Sequence, residues 1–173
     1  MPKPESTAHR LVREGRLFEL RHSLLDGLPV RSGEQPYRSS SCCLCAAVDA
    51  GFHSILEVLI EATEWTHEEL DNALERAMEA KRLDLVDMLL EKGASVGAIS
   101  FYDVCCTVDY GLMKRMLELG VDPAGHSNGF ARALNEIKAR PLLRFYKDNA
   151  ESYPALCRQI SLALSVAVRE GNE

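Results

Sequence analysis

Apolar residues recur along this chain at helical spacing, in short segments that often end near a glycine. Residues 17–25 place leucine at four positions of one helical face, and Gly27 follows as a C-terminal stop. Residues 55–60 and 85–90 carry similar apolar stripes. The pattern predicts an all-α chain of short helices paired across tight turns.

The helix pairs recur at a nearly constant spacing. Ala47 and Ala77 are 30 residues apart, and Gly93 and Gly120 are 27 residues apart. A period in this range is typical of a solenoid, in which each unit buries its apolar face on its neighbours. We predict a single domain over residues 1–173. Its units lie at about 6–28, 42–63, 67–94, 100–122 and 127–149, with a loop over 28–41 and a C-terminal capping helix or partial repeat over 153–173.

Two helix starts carry capping signals. Thr66 and Glu69 have the spacing of a capping box, in which the threonine oxygen accepts the N3 amide and the glutamate bonds back to the N-cap amide. Ser100 and Asp103 repeat this spacing at the fourth unit. Trp65 precedes the first of these caps, where it is expected to pack as a hydrophobic staple, to contact a partner, or to do both.

The units resemble ankyrin repeats, whose pattern joins T-P-L-H-x-A-A-x-x-G-H to an apolar second helix and L-L-x-x-G-A. The positions that carry the resemblance are Leu44, Ala47, Gly51, Ile55, Leu56, Leu59, Ile60, Leu74, Ala77, Leu85, Val86, Leu89, Leu90, Gly93, Ala94, Met116, Leu117, Gly120, Val121, Asp122 and Pro123. Cys45 and Glu75 stand where the family has histidine, and Lys81 and Val108 replace the turn glycine. The resemblance implies an ankyrin-like helix-turn-helix solenoid; helix-pair repeats of another family are the alternative.

Negative charge is concentrated in the middle of the chain. Residues 41–125 hold 6 Lys/Arg and 16 Asp/Glu, whereas the flanking segments are each slightly basic. This excess argues against a nucleic-acid backbone as the partner of that surface. It is explained either by solvated helix faces or by a negative groove for a basic partner, because complementary charge steers association.

The residues give no sign of catalysis. Nucleotide-binding, zinc-protease and serine-hydrolase motifs are absent, and the five histidines are scattered. The cysteine clusters 42–45 and 105–106 are expected to pack as small apolar residues in first helices rather than to bind a metal. We therefore predict no enzyme, no catalytic or metal-binding residues and no cofactor.

The resemblance to ankyrin repeats implies a protein-binding surface on the concave side, built from loop tips and the exposed faces of first helices. Mapped onto this chain, that surface holds Arg38, Asp49, Trp65, His67, Glu68, Asp71, Glu79, Tyr102 and Asp103. We expect it to bind a basic or amphipathic segment of another protein.

The segment 160–168 is almost wholly apolar, and a helix that is apolar on all sides must be covered on several of them. Ile160, Leu164 and Val168 could mediate self-association. The chain would then be a regulatory or assembly subunit, such as an inhibitor or a homodimer joined by this helix. A fragment of a larger effector or defence protein is a further alternative. The absence of a long apolar segment and of a secretory signal predicts a cytoplasmic protein without a membrane span.

Overall fold

The computed structural model describes residues 6–30, 42–137, 140–169 and 171, and all regular secondary structure in these ranges is helical. The all-α class predicted from the sequence is confirmed. The helices are α1 (Thr7–Arg13), α2 (Leu17–Leu25), α3 (Cys43–Asp49), α4 (His53–Ala62), α5 (His67–Glu79), α6 (Leu83–Glu91), α7 (Phe101–Cys106), α8 (Tyr110–Glu118), α9 (Gly125–Ile137), α10 (Arg140–Asn149) and α11 (Pro154–Arg169), with a 3₁₀ turn at Val96–Ala98. They fall into two compact units, Met1–Ala98 and Ile99–Glu173. The single domain expected from the sequence stays a prediction.

The first unit is a stack of helix pairs. The first helices of the pairs, α1, α3 and α5, pack in succession, and the second helices, α2, α4 and α6, do the same. Leu44, Leu56, Leu74 and Leu85 are fully buried, so each pair contributes apolar side chains to one continuous core. The helices are short, and isolated helices of this length are marginal in water, so their stability comes from this packing.

The turns after α1, α3 and α5 share one backbone geometry. After α1, the amide of Gly15 donates to Val12 O (3.1 Å) and the next amide donates to Leu11 O (3.0 Å), which is the Schellman motif. Its C′ residue needs a positive φ, and Gly15 has φ +72°. Lys81 occupies the equivalent position after α5 with φ +56°. Val108 follows α7 with φ +55° and its amide donates to Cys105 O (3.0 Å), but the next amide donates to Thr107 Oγ1 (3.2 Å). The turn conformation after α5 is therefore retained without glycine.

One of the two predicted capping boxes forms. At the start of α5, Thr66 Oγ1 accepts the amide of Glu69 (3.3 Å), and Glu69 Oε2 accepts the amide of Thr66 (2.9 Å). At the start of α7 the prediction is wrong, because the Ser100 side chain makes no capping hydrogen bond. The amide of Asp103 donates instead to the Ser100 carbonyl oxygen (3.1 Å), in a tighter first turn.

In the second unit, α7 packs on α8 and α9, and α9 packs on α11. The rings of Phe101, Phe130 and Phe145 are fully buried, with centroids 6.0–6.4 Å apart. Residues 126–128 form a left-handed turn, all with positive φ, and the right-handed part of α9 follows from Gly129. Gly129 lies against the backbone of α7, where a Cβ would approach the Tyr102 amide nitrogen to 2.7 Å.

Candidate protein-binding surface

Helix α5 carries the largest group of the predicted binding residues. Glu68, Asp71, Glu75 and Glu79 follow one another at spacings of three and four residues, so they share one face of the helix. We call these four residues the α5 acidic stripe. At a rise of about 1.5 Å per residue, the stripe is about 16 Å long. Glu68, Glu75 and Glu79 are exposed, and none of the basic side chains in the described ranges forms an ion pair with them.

The carboxylate of Asp49, at the end of α3, is paired with a residue of α5. Arg76 Nη1 lies 2.5 Å from Asp49 Oδ2, and this bond raises the pKa of the Arg76 guanidinium. The pair joins two neighbouring first helices and compensates the charge of Asp49, which the sequence suggested as a contact for a basic partner. Arg76 was missed by the sequence reasoning. It lies 27 residues after Asp49, three fewer than the 30-residue spacing of Ala47 and Ala77, so the repeat pattern does not pair the two residues.

His67 and Asp71 bond to the segment that follows α6. His67 Nδ1 is 3.1 Å from Gly93 O, and Asp71 Oδ1 accepts the amide of Ser95 at 2.6 Å. Both side chains therefore position the loop that leads into the 3₁₀ turn. In the α5 acidic stripe, Asp71 has this backbone partner, whereas Glu75 and Glu79 project into solvent.

Trp65 terminates the preceding helix. Its indole Nε1 donates to Leu59 O at 2.9 Å, so it satisfies one of the last carbonyl groups of α4. Helix α4 ends at Thr63 with extended backbone and without a positive-φ residue. The indole bond provides the C-terminal partner that a Schellman turn provides elsewhere. Trp65 remains half exposed, which leaves its predicted contact role open as a prediction.

Tyr102 and Asp103 lie on α7 in the second unit, and Tyr102 is held by two residues of α9. The Tyr102 hydroxyl donates to Glu136 Oε2 (2.6 Å), and the Arg132 guanidinium lies 4.0 Å from the centre of its ring. Arg132 also pairs with Glu136 (2.9 Å). The bond to Glu136 raises the pKa of Tyr102 to about 12. The cluster joins α7 to α9 through polar contacts. The last predicted residue, Arg38, lies outside the described residues.

A second polar network, not anticipated from the sequence, connects two neighbouring turns of the first unit. Arg82 Nη1 donates to Gly51 O (3.0 Å), and Arg82 is also paired with Asp84 through two bonds of 2.9 and 2.8 Å. His53 Nδ1 lies 3.3 Å from Asp84 Oδ2. The guanidinium of Arg82 and the bond from His53 hold the pKa of Asp84 well below its usual range. These contacts link successive units through the turn after α3 and the turn after α5.

The cysteines are thiols in distinct environments. Cys42, Cys43, Cys45 and Cys105 are buried, whereas Cys157 is exposed. Burial raises the pKa of Cys43 to about 12, and a hydrogen bond with Cys45 lowers that of Cys42 to about 7. No group of three or more His, Cys, Asp or Glu side chains in the described part of the chain could hold a metal ion.

The predicted self-association residues lie on α11 with increasing exposure toward its end. Leu156, Gln159 and Ala163 are buried, and Gln159 anchors the helix by accepting the Ala131 amide at 3.1 Å. Ile160 is half-buried, but Leu164 is 62% exposed and Val168 is 81% exposed. Within the described residues α11 is buried along one side only, and coverage of its exposed side by another chain stays a prediction.

None of the helices in the described ranges is both long enough and apolar enough to cross a membrane. The chain matches no protein-family model and no curated protein.

Proposed function

We propose that this protein is a non-catalytic interaction module, built as an ankyrin-like stack of helix pairs, that binds a basic or amphipathic segment of another protein. The α5 acidic stripe is the observation that carries the proposal. Three of its four carboxylates are exposed and form no close ion pair in the described ranges, and Arg76 compensates part of the charge of one of them, Glu79.

The geometry of the stripe specifies the segment that it would bind. An extended chain covers about 3.3 Å per residue, so a segment of about five residues spans the 16 Å of the stripe. Glu68 and Glu75 lie about 10 Å apart along the helix axis and Glu75 and Glu79 about 6 Å, so they would face basic residues spaced about three and then two positions apart. Exposed ion pairs are individually weak, at about 0–1 kcal/mol each, so several must form together. They contribute mainly to the association rate and to specificity.

The test is affinity capture from the cytosol of the source cell with the wild-type chain and two charge-reversal variants. The double variant Glu75→Lys with Glu79→Lys removes half of the stripe and is expected to lose the partner. The control, Glu118→Lys with Glu151→Lys, makes the same charge change at exposed positions of the second unit and is expected to retain it. A partner captured equally by both variants contradicts the proposal.

Salt dependence supplies a second readout of the same complex. The Debye length falls from about 10 Å at 0.1 M salt to about 3 Å at 1 M salt, so a complex held by the stripe should weaken strongly over this range. The purified partner and the wild-type chain should show this loss in a direct binding titration. Affinity that is unchanged by salt would exclude the stripe as the main contact.

The exposure of Leu164 and Val168 favours a second candidate, a regulatory or assembly subunit that docks through α11. Light scattering of the wild-type chain should then show self-association. The variant Leu164→Glu with Val168→Glu should be a folded monomer, because both side chains lie mostly outside the core. A wild-type chain that is monomeric at every concentration would remove the homo-oligomeric form of this candidate.

A further inference from the structure

The C-terminal ends of the second helices α2 and α4 line a cavity of about 700 Å³ that is open to solvent. This volume lies within the range of about 300–1,000 Å³ that ligand-sized sites occupy. Its lining is mainly aliphatic, with Leu24, Leu25, Leu28, Pro29, Val58 and Ala62 among the contributors. Leu25 is 87% exposed, so its side chain forms part of an open apolar rim rather than part of the core.

A groove of about 310 Å³ lies beside this cavity, between α4 and α6. The groove is lined by five carboxylates, those of Glu57, Glu61, Asp84, Asp87 and Glu91. The basic side chains in its lining are one lysine, Lys92, and the imidazole of His53. Ile60 and Met88 supply apolar side chains to the same groove. Asp84 is compensated by Arg82, but the groove as a whole retains an excess of negative charge.

Glu61 lines both the cavity and the groove, which makes them one continuous surface. One end of this surface is apolar and the other end is acidic. Arg21 lies on the cavity side, whereas the groove holds the five carboxylates together with Lys92 and His53. The surface is formed by second helices and includes none of the α5 acidic stripe, which belongs to a first helix.

We propose that this surface is a docking site for a cationic amphipathic helix of another protein. Apolar side chains of the helix would enter the cavity between α2 and α4, and its lysine or arginine side chains would lie over the groove between α4 and α6. Amphipathic helices bind in this way, with apolar anchors at positions i, i+3, i+4 and i+7 in a groove. Charge complementarity with Glu57, Glu61 and Glu91 favours a basic helix and orients it across α4.

The site does not depend on the function proposed for the α5 acidic stripe, and either can fail without the other. A dye-labelled synthetic peptide of leucine and lysine, patterned as an amphipathic helix of about 14 residues, is the probe. A peptide of the same composition, scrambled to remove the apolar face, is its control. Fluorescence anisotropy with the full chain should show the amphipathic peptide binding at least about tenfold more tightly, or about 1.4 kcal/mol.

Four variants locate the binding. Ala62→Trp adds a large side chain at an exposed alanine of the cavity lining and should weaken peptide binding about tenfold. Leu25→Gln removes an exposed apolar contact and should weaken peptide binding severalfold. Glu57→Gln should weaken binding severalfold, whereas the matched change Glu75→Gln on α5 should alter it less than about twofold. Far-UV circular dichroism establishes that each variant is folded. If Ala62→Trp does not fold, Leu25→Gln provides the same test.

Three outcomes would overturn the proposal. Equal binding of the two peptides would show that charge alone attracts them. Equal losses from Glu57→Gln and Glu75→Gln, or none from Leu25→Gln, would place the peptide elsewhere. Binding that is detected only after residues 31–41 are replaced by a glycine–serine linker would mean that the chain itself, and not a partner helix, occupies the cavity.

Discussion

Gly129 allows α9 to approach α7 at backbone distance, and adding one methyl group there tests the packing of the second unit. A Cβ at this position would lie 2.7 Å from the amide nitrogen of Tyr102 and 3.3 Å from the carbonyl carbon of Phe101. Both atoms belong to the backbone of α7, so no side-chain rotation can relieve the contact. The two helices must separate, and the packed rings of Phe101 and Phe130 lie between the same two elements.

The expected cost follows from two opposing terms. Overpacking a well-packed interface costs about 1–3 kcal/mol, and a clash with backbone belongs at the upper end of this range. Gly129 begins the right-handed part of α9, so alanine there returns only part of the helix-propensity difference, about 0.5 kcal/mol. We therefore expect Gly129→Ala to reduce the free energy of unfolding by about 2 kcal/mol.

Gly111 provides the matched control in the same unit. It is exposed in the first turn of α8, and a Cβ there would meet only Asp109 Oδ1, at 3.4 Å. Gly111→Ala should gain part of the propensity term, about 0.5 kcal/mol, because nothing opposes it. The same chemical change is thus predicted to have opposite signs at two helical glycines.

Urea denaturation followed by far-UV circular dichroism measures both variants. With a slope of about 2 kcal/mol per molar urea, the midpoint of Gly129→Ala should fall by about 1 M. The slope itself should remain unchanged if only the native packing is affected. If Gly129→Ala is as stable as the wild-type chain, or more stable, the close approach of α7 and α9 is refuted.

Three further changes test local features of the chain. Thr66→Ala should lower the free energy of unfolding, measured by thermal denaturation, by about 1–2 kcal/mol, because it removes the capping hydroxyl that donates to the buried carboxylate of Glu69 at 2.8 Å. Ser100→Ala is the control: this serine makes no capping bond, so its loss should change stability little. Lys81→Asn should raise the free energy of unfolding by about several tenths of a kcal/mol, and so raise the urea midpoint slightly, because asparagine tolerates the left-handed conformation better than lysine; a lower midpoint would contradict this reasoning. Cys157 should be the first cysteine alkylated in the native chain because it is exposed, as mass spectrometry of the labelled peptides would show; earlier labelling of a buried thiol would refute this order.

Helices and their ends could be predicted where the signals are local. Apolar spacing and the glycines at positions 15, 27 and 93 indicated where helices end, and these glycines have positive φ. The behaviour of Lys81 and Val108 could not be predicted in this way, because both residue types disfavour positive φ. The turn geometry there is imposed by the flanking helices, whose packing outweighs a local preference of about 1–2 kcal/mol.

In the candidate site, too, contacts between residues close in sequence were predictable, and contacts between residues far apart in sequence were not. The capping box at Thr66 involves residues three positions apart, and the sequence predicted it correctly. The bonds from Asp49 to Arg76 and from Asp71 to Ser95 join residues separated by 27 and 24 positions. Such contacts depend on how neighbouring units align, and periodicity alone does not fix that alignment at the level of single side chains. The net negative charge of this part of the chain could therefore be predicted from the sequence, whereas the residues that pair with each carboxylate could not.

The two proposed surfaces are both acidic, but they differ in what lies beside the carboxylates. Around the α5 acidic stripe the exposed side chains are polar, so binding there would rest on charge, form quickly and weaken with salt. On the second helices, the cavity between α2 and α4 adds apolar area, which is worth about 25 cal/mol per Å² when buried and is not screened by salt. A partner that uses this cavity would dissociate more slowly, because changes in affinity between related complexes arise mostly in the dissociation rate. Salt should therefore weaken binding at the α5 acidic stripe more than binding at the cavity. The difference arises because Leu25 and Ala62 place apolar area beside the carboxylates of the second helices, and not because the two surfaces differ in their number of acidic residues.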